Sequence, residues 1–302
     1  MMVSNRGSIL GLLGWQWKNV LIFTGAGTSV VGAVELLGLR WLEIPPLPLA
    51  VVGGALGIFT SFRTNSAYQR WWEGRQLWGR LVNASRHFAT QVLAYLPKDG
   101  DRPTALQTEL VHRHIAYVHA LRCLNRSQDP FTDEAVSETL DADRDVLRKE
   151  SNLTHALLHR QMEALAAEHR AGRIDSMHMR SFDETIRALL DVQGGCERIK
   201  KTPMPRGYGF IAERLSWAYA VLLPTALVHE IHWAAIPINV LVCLGFALIN
   251  EAGRVLEDPF TLFWNGLPLH ALSRTIDVNL RQRLGESALP AIPQVDERGI
   301  LM

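Results

Sequence analysis

The stretch "PLPLAVVGGALGIFTSFRTNSAYQRWW", Pro46 to Trp72, decides the fold. It has no charge before Arg63, carries the pair Gly53-Gly54, and ends in Arg70 and two tryptophans. On a helix, Val51, Gly54, Ile58 and Phe62 fall on one stripe, because residues three and four apart are neighbours. Beyond Phe62 the same face continues into Asn65, Ser66 and Gln69, so it changes from small or apolar to polar at one end. Phe59 is set on the opposite face. Such a stripe is either a helix–helix contact, with the glycines allowing close approach, or the wall of a pore. Periodicity alone favours the contact.

Three more apolar runs surround this one: Asn19–Leu39, Leu215–Val228 and Trp233–Asn250. A span needs about 20 apolar residues to cross a ~30 Å hydrocarbon layer. The first and last of the four come close, while Pro48–Phe62 and Leu215–Val228 need their polar flanks to cross. Short runs interrupted by Gly and Pro suit helices shielded by protein or lining a water-filled path. Tryptophans near the run ends (Trp15, Trp17, Trp41, Trp71, Trp72, Trp217, Trp233) form the girdle expected at a membrane interface. The alternative is four buried helices of a soluble all-α protein. Arg63, Arg70, Arg75, Arg80 and Arg86 follow the second run, Lys200, Lys201 and Arg206 precede the third, and Arg254 follows the fourth. The positive-inside rule then places both ends of both hairpins in the cytoplasm. The start, "MMVSNRGSILGLLGWQWKN", shows no apolar segment followed by a small-residue cleavage site.

The remainder of the 302 residues is charged and helical in pattern. Apolar residues recur at helical spacing in 75–96, in 105–126 (with Pro103 at an N1-like position), and in two stretches of 132–172 that end in a Gly stop. The segment "IDSMHMRSFDETIRALLDVQGGCERI" is expected to break at Gly194-Gly195. The tail "SALPAIPQVDERGILM" reads as an extended strap. No strand pattern stands out, so the fold class is all-α. A net charge of +1 gives no reason to expect nucleic acid. Cys123, Cys196 and Cys243 are far apart and read as reduced thiols.

No catalytic constellation emerges. His229-Glu230-Ile231-His232 has its histidines three apart, where the His-Glu-x-x-His zinc motif needs four. His112, His114 and His119 share one helix, but a satisfied helix face explains them as well as metal ligation does. Glu35, Glu213 and Arg214 lie near span ends, where snorkelling or interhelical pairing is ordinary. No cofactor is expected.

Four blocks together resemble the bestrophin family of ion channels in its bacterial form: "FRTNSAYQRWWEGRQLWGRLVNASR", "HIAYVHALRCLNR", "GGCERIKKTPMP" and "EDPFTLFWNGLPLHALSRTIDVNL". The resemblance runs in order over nearly the whole chain. It implies a homopentamer around one axial pore, with four transmembrane helices per subunit and a large cytosolic helical region. It also implies four segments forming one integrated unit. These are 1–62 with the first two spans, cytosolic helices over 63–205, the last two spans over 206–255, and a cytosolic C-terminal segment over 256–302. The family's apolar neck falls on Gly54, Ile58 and Phe62, and Gly54 departs from the bulky residue usual there. Its cytosolic aperture falls on Met177, or on Met179 if the register is shifted by two. Animal members bind calcium through an acidic run after the last span. Here "TLFWNGLPL" has no acid, and Glu257 and Asp258 alone cannot supply six to eight oxygens, so calcium gating is not expected. Small monovalent ions are implied, leaning to cations through the bacterial resemblance. The implied location is a bacterial inner membrane, with both termini cytoplasmic. A secondary transporter and a non-conducting scaffold remain as rival classes.

Overall fold

The computed structural model describes residues 14–301 apart from 99, 101 and 298, the side chains of Arg206 and Tyr208 excepted. Most of the N-terminal stretch examined for a cleavage site, residues 1–13, lies outside the described residues. Helix makes up 78% of the chain, with no strand among the described residues, as the all-α reading expects. The helices are α1 Trp17–Glu35, α2 Pro46–Tyr95, α3 Ala105–Asn125, α4 Glu134–Leu140, α5 Arg144–Leu147, α6 Leu153–Arg170, α7 Ser176–Lys201, α8 Arg206–Ile231, α9 Ala235–Leu256 and α10 Leu269–Leu284.

Several boundaries differ from expectation for local reasons. The first run stops as a helix at Glu35, because Gly38 adopts a left-handed φ of 70° and a 3-10 turn follows at Arg40–Leu42. The second does not end at Phe62; α2 continues as one helix to Tyr95. Pro103 is not the first residue of α3. Thr104 caps it in a reciprocal box, its Oγ accepting from the Gln107 N–H at 3.3 Å while Gln107 Oε1 accepts from the Thr104 N–H at 2.8 Å. α7 does not break at Gly194-Gly195. A Cβ at 195 would lie 2.5 Å from Leu77 Cδ2, so this glycine allows close packing and is not a stop. The Gly stop after α6 is real, with Gly172 at φ 73°. Residues 287–295 of the tail are extended or irregular, as expected.

Two compact units result. Of the described residues, one contains Trp72–Thr202 and those from Asp258 on; the other contains those up to Trp71 and Pro203–Glu257. In the second unit α1, α8 and α9 pack on one another and on the first part of α2, around Phe23, Leu49, Leu56, Tyr219, Leu223 and Cys243. In the first, α3 sits centrally against α4, α6 and α10, and Trp78, Phe88, Tyr117 and Phe182 are wholly buried. Cys123, Cys196 and Cys243 are free and buried.

Among the described residues two stretches are long and apolar enough to cross a membrane: Pro46–Tyr95, and Gly209–Leu256, which holds most of α8 and all of α9, joined through a 3-10 turn at His232–Ala234. Only 22% of either apolar window is buried within the chain. Apolar surface of that extent, turned outward, has no stable place in water.

The exposed stripe of α2 and an exposed methionine of α7

The membrane part of α2 has two unlike faces. Gly53, Leu56, Thr60, Arg63 and Ala67 are buried, whereas Val51, Gly54, Ile58, Phe62, Asn65, Ser66 and Gln69 are exposed. Ile58 is 61% and Phe62 69% exposed, so the stripe packs against nothing within its own chain. The two glycines have opposite roles. A Cβ on Gly53 would meet Tyr219 Oη at 2.5 Å, while one on Gly54 would meet nothing within 4 Å. The close approach belongs to Gly53, and Gly54 lies on the open stripe. Phe59 is not opposite the stripe but half-buried on its flank; the opposite face is the one carrying Leu56 and Thr60.

The rotation of α2 is fixed one residue past Phe62. Arg63 is 5% exposed; it donates to the Asn250 carbonyl at 3.1 Å and pairs with Asn250 Oδ1 and with Glu257. Thr64 Oγ donates to the Ile249 carbonyl at 3.1 Å, and Arg70 Nε to the Glu257 carbonyl at 2.7 Å. All five acceptors lie on α9 or just after it. A buried guanidinium needs this set of partners, and they hold α2 in one register. Sequence reasoning missed this lock. The signal was an arginine directly after an uncharged run, together with Asn250 and Glu257 at the end of another.

Met177 stands in the first turn of α7 and is 76% exposed. Asp175 caps that turn by accepting from the His178 N–H at 2.8 Å. Met179 is half-buried.

Most of the remaining polar candidates are paired, but both ring nitrogens of His114 are buried without a hydrogen-bond partner. Asp258 takes Lys200 at 2.9 Å and the Phe260 N–H at 3.0 Å. His232 meets Glu35 at 2.7 Å and His229 meets Glu43 at 3.2 Å, so Glu35 makes the pairing expected for it. Arg214 lies over the Phe210 and Trp217 rings at 5.0 and 4.7 Å. His112 binds Glu286 at 2.6 Å. His119 lies between Asp133 at 3.1 Å and Asp277 at 3.4 Å, with His119 and Asp277 buried and Asp133 partly so. Burial would raise Asp133, but His119 and Arg122 outweigh it and hold the carboxyl far below its usual range. Burial, then Arg122 and Arg274, push His270 down to about 4. Among the described residues no three metal-ligating side chains converge.

These features define the class: an all-helical membrane protein whose longest helix presents an apolar stripe outward. The family model described as Bacterial/Fungal Bestrophin protein matches residues 1–282, and the chain belongs to that family. A protein of Mesorhizobium japonicum named voltage-dependent anion channel-forming protein mll4386 is 32% identical, over 88% of this chain and 86% of its own. The voltage-dependent anion channel-forming protein YneE of Escherichia coli K12 is also 32% identical, over 95% and 91%. The crystal structure of a bacterial bestrophin homolog from Klebsiella pneumoniae superposes with a TM-score of 0.80 at 28% identity, covering 93% of this chain and all of that one.

Proposed function

We propose that this chain is a passive ion channel of the bestrophin type, working as a homopentamer in a bacterial inner membrane. In this reading α1, the apolar part of α2, α8 and α9 are the four spans, and both termini face the cytoplasm. The observation that carries the reading is the outward stripe of α2. An uncharged row from Val51 to Gln69, exposed in one chain and locked in rotation by Arg63, is what five copies need to surround an axis. Ile58 and Phe62 form the neck, Gly54 its wider outer end, and Met177 the cytosolic ring. Apolar rings offer no strong ligands, so ions are not trapped, and the rings gate by wetting and dewetting.

The stripe carries no charge, so it does not itself select by sign. The printed names of the relatives weigh toward anions and against the cation preference implied by the earlier resemblance. Calcium is not the opening signal in this reading, because Arg63 and Lys200 already hold Glu257 and Asp258. Purified protein in a planar bilayer tests the proposal. Steady unitary currents support a channel, and their reversal potential in a salt gradient assigns the sign. Coupled flux without unitary steps, or silence, would replace the channel by a transporter or a scaffold.

A further inference from the structure

A cavity of about 350 Å³ lies between the last part of α2 and the last turns of α10, within the unit that holds Trp72–Thr202 and the residues from Asp258 on. That is the size of a small-molecule site. Ala89 and Leu280, both buried, give it an apolar floor. Arg86 and Thr90 of α2 line it with Asn279, Gln282 and Arg283 of α10, and no carboxylate does. The acids nearest in sequence, Asp277 and Glu286, pair with Arg281 at 2.7 and 3.1 Å. In a chain of net charge +1, the cavity thus holds two positive charges that no acid within it offsets.

Arg86 is not held as an ordinary surface arginine is. Its Nε and Nη2 both donate to Asn279 Oδ1, at 3.1 and 2.8 Å. A carboxylate in that position would neutralise the guanidinium; a neutral amide orients it and leaves its charge intact. The side chain is therefore ordered before any anion arrives, which lowers the entropy cost of binding one. Because Asn279 spends its oxygen on Arg86, its amide N–H donors have no partner among the described residues. The Arg283 guanidinium likewise has no hydrogen bond or ion pair among them. A cation in the last turn of α10 suits the helix dipole, which accounts for Arg283 alone. It does not account for Arg86, which lies on the other helix.

We propose that this cavity binds a soluble molecule carrying a pyrophosphate group. Guanidinium groups match phosphoryl oxygens in shape and charge, and each arginine takes one of the two phosphoryl groups. Asn279 and Gln282 supply further N–H donors. With the tryptophan girdle at the membrane interface, as in the function proposed above, a lipid headgroup is the poorer fit. At 1.5 Å per residue, Arg86 stands about 21 Å along the unbroken α2 from Trp72. The site itself does not depend on that function.

Calorimetric titration of the purified full-length protein with inorganic pyrophosphate and with inorganic phosphate, at fixed ionic strength, tests this. Saturable binding of pyrophosphate is expected, tighter than that of phosphate. Arg86→Gln and Arg283→Gln should each weaken it by about tenfold, the value of a hydrogen bond to a charged group. Arg80→Gln, at an exposed arginine of α2 outside the cavity, should leave it unchanged. Arg283 has no side-chain partner to lose, so its variant keeps the fold. Absence of saturable binding, unchanged affinity in Arg283→Gln, or an equal loss in Arg80→Gln would overturn the site. Equal affinity for phosphate and pyrophosphate would overturn the two-arginine arrangement. Tighter binding of dioctanoyl phosphatidic acid than of pyrophosphate would overturn the assignment to a soluble ligand.

Discussion

Replacing Gly53 and Gly54 by alanine, one at a time, separates the two faces of α2. Both substitutions add the same methyl group to the same helix turn and gain the same helix propensity, up to about 1 kcal/mol. Their difference is therefore steric. At 53 the new Cβ would stand 2.5 Å from Tyr219 Oη and 3.0 Å from Cζ, against an ordinary contact near 3.4 Å. Tyr219 must move by roughly 1 Å, and it is 6% exposed and set edge-on to Phe246 at 5.8 Å. Overpacking of this kind costs about 1–3 kcal/mol. At 54 the methyl meets nothing. Gly53→Ala should thus be less stable than Gly54→Ala by about 1–3 kcal/mol, the overpacking term alone. Gly54→Ala should match or exceed the parent and leave conductance nearly unchanged. Thermal unfolding of the detergent-solubilised protein, followed by circular dichroism, reads the difference. Equal melting of the two variants, or a lower melting point for Gly54→Ala, would refute the assignment of faces.

Acid should weaken the unit that holds α3. His114 is wholly buried, stacked on Phe88 at 4.9 Å, and burial lowers its pKa from 6.5 to about 3. The unfolded chain takes up the proton first, so stability falls as pH drops through 6.5, by about 2 kcal/mol at pH 5. His114→Phe keeps the stacking and should remove that part of the pH dependence of melting; an unchanged slope would exclude His114 as its source. Met177→Ala should widen the cytosolic ring and weaken discrimination among larger permeant ions while the oligomer elutes unchanged. An effect from Met179→Ala alone would move the ring by two residues. Chelating calcium should leave the current intact, and current that vanishes and returns with micromolar calcium would require a site elsewhere.

The helical content and the shared face of the stripe were legible because both depend on local spacing; its outward orientation was not, since periodicity alone favours a helix–helix contact. Val51, Gly54, Ile58 and Phe62 share a face on any regular helix. What spacing cannot show is a neighbour's position. Gly194-Gly195 looks like a stop, yet Gly195 makes room for Leu77 within an unbroken helix. Gly53 and Gly54 are identical in sequence, and only Tyr219 tells them apart. Phe59 is an exception, because successive residues on any α-helix stand about 100° apart, so spacing alone already sets it on the flank of Ile58 and gives the opposite face to Leu56 and Thr60. The lock on Arg63 joins residues 187 and 194 positions apart, and no local pattern pairs them. The Thr104–Gln107 box was readable, and Pro103 drew attention one residue too early.

The central claim is that the stripe of α2 faces the ion path. Its most direct measurement is cysteine modification during single-channel recording, with Ile58→Cys and Phe62→Cys compared with Thr60→Cys on the buried face. The three native cysteines are buried and should give little background. The account predicts that a water-soluble thiol reagent blocks the current of the 58 and 62 variants and spares the 60 variant. Block at 60 with 58 and 62 inert would contradict it, and the stripe would then be a packing face toward lipid or a neighbouring helix.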